Sequence, residues 1–240
     1  MKLLIVLACL LAAAFATPLA VRKDNPDERY FDIKGPTRPM TKNGLIDESY
    51  RWPNGRVPFV IAASVSAAQE VAIRKAMSDY NTLTNGCIQF VDRNGEADYV
   101  RIVYQEEGCW SYVGRLGGMQ EINYPTWCTD SYGSTMHEML HTLGFYHEQS
   151  ASNRDDYVTI QWDNIQAGAE HNFDKYPDTV ITDFGYGYDY ESVMHYSQFA
   201  FSSNGLRTII TTDPAYQSVI GQRDGLSTID LNKLKAMYNC

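Results

Sequence analysis

Apolar residues recur along this chain with different periods, and the periods mark out its elements. Val71, Ile73, Ala76, Met77 and Tyr80 sit among polar neighbours at helical spacing, which predicts an amphipathic helix over about 66–83. Before it, the turn signal Trp52-Pro53-Asn54-Gly55 leads into a strand from Val57 to Ile61. After it come two β-rich runs, Cys87 to Val91 and Tyr99 to Tyr104. A second helix is predicted from Ser134 to Phe145, ended by Gly144, and a last one from about Ser227 to Tyr238. The stretch between these two is rich in turns and tyrosine. A strand–helix–strand–strand series of this kind implies an α+β fold with a twisted sheet backed by helices. The break near Gly144 divides the expected lobes into about 43–144 and 145–240.

The two ends of this pattern differ from the middle. Met1 and Lys2 precede an apolar run from Leu3 to Ala16 that closes on Ala14-Phe15-Ala16. A charged start, a short apolar core and a small-x-small ending predict a secretory signal over 1–16. Residues 17–42 hold Pro18, Pro26, Pro36 and Pro39 with little helical periodicity, and read as a pro-segment that cannot build its own core. Residues 43–240 are the expected folded domain of two lobes, and the ending at Cys240 is read as leaving no room for an appended module.

Composition narrows the function. The chain has 240 residues, 44% hydrophobic and 20% charged, with a formal charge of -9. An acidic balance argues against nucleic acid or an anionic membrane as partner. No later apolar run approaches the ~18 residues of a membrane span. A secreted chain that loses Cys9 with its signal keeps Cys87, Cys109, Cys128 and Cys240. Two disulfides are then expected, in any of three connectivities.

The chemistry concentrates in His137-Glu138-Met139-Leu140-His141-Thr142-Leu143-Gly144-Phe145-Tyr146-His147-Glu148. On a helix His137 and His141 share one face, about 5–6 Å apart at Cβ, close enough to hold one Zn²⁺. Glu138 is rotated by roughly 100° and stands beside the metal as a general base rather than as a ligand. Gly144 allows the helix to stop and turn, so that His147 supplies a third nitrogen. Three neutral ligands with one position open are the pattern of a catalytic zinc. Further on, Ser192-Val193-Met194-His195-Tyr196 matches the Met-turn of metzincins. His195 lacks a spacing partner and reads as a packing or hydrogen-bonding residue.

With these residues in place, the sequence resembles the astacin family of zinc endopeptidases over nearly all of residues 43–240. The likeness runs through the zinc segment, Arg154-Asp155-Asp156-Tyr157-Val158, Trp162-Asp163-Asn164-Ile165, Ser192 to Tyr196, Ile220-Gly221-Gln222-Arg223 and Tyr238-Asn239-Cys240. The resemblance implies a two-lobed metzincin-type fold, with two long helices in the first lobe and a mostly irregular second lobe ending in a helix. It implies one Zn²⁺ held by His137, His141 and His147, Glu138 as base and then acid, and Tyr196 as a weak ligand that also stabilises the oxyanion. Met194 would form the floor beneath the imidazoles. The disulfides would pair Cys87 with Cys240 and Cys109 with Cys128, and substrate would lie antiparallel on an edge strand. Asp32, in Phe31-Asp32-Ile33-Lys34, resembles the pro-peptide aspartate that blocks the zinc, although the Gly that usually precedes it is absent. A trypsin-like protease would cut between Lys42 and Asn43, and the freed α-amine would be buried near Glu148.

The expected function is therefore a secreted, monomeric zinc endopeptidase made as a zymogen and acting on protein or peptide substrates through a zinc-activated water. The alternative is a catalytically silent binding protein on the same zinc fold. A purely structural zinc site is disfavoured because the fourth position stays open.

Overall fold

The computed structural model describes residues 32–34, 44–179 and 181–240. The expected signal peptide, the Lys42–Asn43 cleavage site and most of the pro-segment lie outside these residues. The sheet of the first half has strands β2 (Arg56–Ile61), β3 (Gln89–Asp92), β4 (Tyr99–Val103), β5 (Trp110–Ser111) and β6 (Met119–Asn123), in the order β3-β2-β4-β6-β5. All pairs are parallel except β5 with β6, so the sheet is mixed and β5 forms one edge. Pro58 falls inside β2, a central strand, although proline cannot donate to a ladder. The pairing of β2 with β4 begins only at Phe59, so Pro58 pairs on one side, with Val91.

Helix α1 (Ala67–Leu83) begins with a capping box: the Ser66 side chain accepts from Gln69 N–H, and the Gln69 side chain accepts from Ser66 N–H. Its inner face is Gln69, Ile73, Ala76, Met77 and Tyr80. Val71, part of the expected stripe, is instead 72% exposed, because two residues rotate it roughly 200° away from Ile73.

A short helix α2 (Thr126–Thr129) leads into α3 (Tyr132–Thr142), which is buried from Gly133 to its end. Such a helix needs partners for its polar groups, and the aromatic core supplies them. Tyr80 donates its hydroxyl to Met136 O, Tyr124 to Thr135 O, and the Trp52 indole to Thr142 O, all at 2.8–2.9 Å. Gly133 lies so close to Arg223 that an added Cβ would stand 2.1 Å from its carbonyl oxygen.

The second half has little regular structure beyond the small ladder of β7 (Val158–Ile160) with β9 (Ile209–Thr211). Short strand β1 (Gly44–Leu45) pairs with β8 (Ile181–Thr182). One hydrophobic cluster is built around α1, α3 and the sheet, and a second around Phe173, Tyr188, Tyr196 and Ile209. Terminal helix α4 (Thr228–Met237) buries Leu234 and Met237 in the first cluster, so the chain end crosses back from the second half. Cys87 is bonded to Cys240 and Cys109 to Cys128, the pairing the resemblance implied. The first bond spans 153 residues and the second 19, and by chain entropy they contribute on the order of 5 and 3 kcal/mol.

Candidate metal centre

Two histidines of the site come from one helical turn, and the way that helix ends positions the third. Past Thr142 the chain turns at Gly144, whose φ of 108° is open to glycine but strained for other residues. Phe145 N–H returns to Leu140 O at 3.1 Å and closes the helix end. The same turn delivers Phe145 O to His141 Nδ1 at 2.7 Å, while Val193 O lies 2.8 Å from His137 Nδ1. A carbonyl can only accept, so both Nδ1 atoms carry the proton and both Nε2 lone pairs face inward.

The rings of His137, His141 and His147 converge, with centroids 4.6, 5.4 and 4.8 Å apart. All three are buried. Burial pushes His137 below the ordinary histidine value and, with its two neighbours, His141 well below it. Both are therefore neutral, as ligands must be. Asp32 completes the group: its Oδ2 lies 2.9 Å from His147 Nε2 and 3.4 Å from His137 Nε2. Burial alone would raise the Asp32 carboxyl, but His147, His137 and His141 outweigh it and hold it well below the usual range. One donor atom from each of these four residues lies within 4.8 Å of the others.

The donor set fits zinc. His141 Nε2 is buried with no hydrogen-bond partner, and His137 Nε2 has only the long approach of Asp32. Imidazole nitrogens sealed from water and aimed at one point are costly unless an ion satisfies them. Three nitrogens and one carboxylate oxygen give tetrahedral zinc its usual number and kind of ligands.

Around the histidines stand the other residues singled out in the sequence. Met194 is buried, and its carbonyl accepts from Glu148 N–H at 3.1 Å. The Tyr196 ring is tilted 46° to that of His147, with the centroids 4.4 Å apart. Glu138 is buried one residue after His137. His195 is held between the Tyr188 hydroxyl, 2.6 Å from Nε2, and Tyr196 O, 2.7 Å from Nδ1, and burial lowers it to about 4. It is a neutral strut of the Met-turn.

Sequence reasoning missed what lies behind Glu148. Its carboxylate receives Lys233 Nζ at 2.9 and 3.1 Å and Asp189 N–H at 2.8 Å, and burial lifts it to about 7. Asp230 accepts from Ser192 Oγ at 2.6 Å and Val193 N–H at 2.8 Å. Helix α4 thus ties the residue after the third histidine to the start of the Met-turn. A signal was present: Asp230, Lys233, Leu234 and Met237 follow helical spacing, which puts two charges on the apolar stripe.

One strap closes the site. Ser111 N–H donates to Asp32 O at 2.8 Å and Lys34 N–H to Ser111 O at 2.9 Å, a parallel bridge on the free side of β5. The same short segment therefore covers both the histidines and the sheet edge.

Comparison with known proteins agrees with this geometry. Residues 44–239 match the model of the family Astacin (Peptidase family M12A). Meprin A subunit beta of Mus musculus is 44% identical over 200 residues, 83% of this chain and 28% of that protein. Zinc metalloproteinase nas-8 of Steinernema carpocapsae is 40% identical over 202 residues, 84% of this chain and 47% of that protein. The chain thus spans less than half the length of these relatives. Among solved structures, high choriolytic enzyme 1, a hatching enzyme zinc-protease from Oryzias latipes, superposes with a TM-score of 0.72 at 34% identity, covering 88% of this chain and 100% of that one. A buried triad of histidines on this fold and a family match over most of the chain lead to one conclusion: the chain belongs to the astacin family of zinc metallopeptidases.

Proposed function

We propose that this chain is a secreted zinc-dependent endopeptidase, made as a zymogen and acting on protein or peptide chains. The observation that carries the proposal is the convergence of three buried imidazoles, two of them fixed by carbonyls, beside Glu138 and Tyr196. A zinc ion held there would polarise the scissile carbonyl and acidify a water molecule. Glu138 accepts the proton of the attacking water and returns it to the leaving amine. Tyr196, packed on His147, donates its phenolic proton to the developing oxyanion. Edge strand β5 pairs with the substrate backbone, as edge strands do with extended peptides.

In the zymogen Asp32 stands where the fourth ligand belongs, and the strap covers the edge of β5. Activation removes the strap; a cut between Lys42 and Asn43 by a trypsin-like protease is the reading the sequence supports. Two disulfides fit an oxidising, extracellular compartment. Among the described residues no helix is long and apolar enough to cross a membrane. The protein acts as a monomer.

The test is cleavage of casein by the trypsin-treated chain with and without a chelator. Turnover that the chelator abolishes and added zinc restores is expected. A treated, folded, zinc-loaded chain that cuts nothing would favour the silent binding protein instead.

A further inference from the structure

Lys34, two residues beyond Asp32, lays its ammonium 2.8 Å from Glu106 Oε1 and 4.6 Å from the centre of the Trp110 ring. The receiving carboxylate is itself fixed. Trp110 Nε1 donates to the same oxygen at 2.6 Å, and Asn123 Nδ2 donates to the backbone oxygen of Glu106 at 2.8 Å. The Cys109–Cys128 disulfide anchors the chain next to Trp110. Lys34 and the Trp110 indole hold the Glu106 carboxyl below the usual carboxylate range, so its charge persists at neutral pH. A fixed negative charge at the N–H edge of an indole, within reach of a cation lying over the ring, is a receptor for an ammonium or a guanidinium.

We propose that, once the strap has left, Glu106 and Trp110 form a subsite for a lysine or arginine side chain of the peptide substrate, and that Lys34 is its resident occupant in the zymogen. The inference rests on the endopeptidase reading of the histidine site. Its support is one of placement: Lys34 belongs to the segment whose Asp32 lies against His147 and His137, on the same edge of β5. Asp32, at the histidines, and Lys34, at this receptor, are two residues of extended chain apart, roughly 7 Å of backbone. A peptide crossing the same histidines along the same edge brings a side chain to it two or three residues from the cleaved bond.

The test uses the activated chain and fluorogenic peptides built on one cleaved sequence. Lysine, or uncharged norleucine of similar shape, is placed in turn at each of the three positions on either side of the cut. At one position kcat/KM for the lysine peptide should exceed that for the norleucine peptide by about five- to tenfold, the size of an exposed ion pair and a cation–π contact together. In Glu106→Gln that ratio should fall to about one, and in Glu106→Lys a glutamate peptide should overtake the lysine peptide. Independently of turnover, Glu106→Gln in the unprocessed chain should speed hydrogen exchange of the Ser111 amide several-fold, because that amide bonds to the strap. A ratio near one at every position, a preference that survives Glu106→Gln, or an unchanged Ser111 amide overturns the subsite. Failure to cleave any peptide or casein overturns the endopeptidase reading, and the subsite with it.

Discussion

Removing Lys233 probes how the site is supported from behind. Its ammonium and the Glu148 carboxylate are each 1% exposed and meet at 2.9 Å, so neither can turn to water when the other is lost. Lys233→Met keeps the length of the side chain and takes the Lys233 ammonium away from the Glu148 carboxylate. Breaking a buried pair from one side costs about 3–5 kcal/mol. For a chain of this size that corresponds to a fall in Tm of roughly 6–20 °C. The measurement is thermal unfolding at pH 8, above the value of about 7 to which burial lifts Glu148, with disulfides intact and zinc at one fixed concentration. Adding Glu148→Gln restores neutrality and keeps an oxygen for Asp189 N–H, so the double variant should return to within about 1 kcal/mol of the parent. A double variant as unstable as Lys233→Met, or a Lys233→Met chain as stable as the parent, would refute the assignment of this pair.

Other predictions address the chemistry and the turn. Glu138→Gln should abolish turnover, and Tyr196→Phe should lower it by about 10²–10³, both with zinc content unchanged by metal analysis. Asp32→Ala should give the unprocessed chain measurable peptide hydrolysis, whereas the parent needs cleavage first; an equally silent Asp32→Ala zymogen would remove the latch. Gly144→Ala should cost about 1–3 kcal/mol in urea unfolding, because alanine is strained at φ 108° and its Cβ would lie 2.7 Å from Met237 Cε.

The metal centre was largely legible in the sequence because its geometry is local. His137 and His141 are one helical turn apart, and Gly144 marks the corner before His147, so spacing alone brings the three rings together. Helices α1, α3 and α4 were legible for the same reason: each is long enough to show its period. Strand β5 was not, since two residues carry no pattern and only pairing with β6 and the strap defines it. Lys233 and Glu106 also escaped notice. Their roles depend on partners 85 and 72 residues away, and in sequence each is an ordinary surface charge. Asp32 is intermediate: the resemblance pointed to it, but its place on His147 follows from the strap along β5.

Metal content and coordination test the central claim most directly. The purified, activated chain should hold one zinc ion, and X-ray absorption should show three nitrogen ligands at ~2.0–2.1 Å, with the ion lost in His141→Ala. A folded chain that takes up no zinc, or zinc held without imidazole nitrogen, would contradict the account.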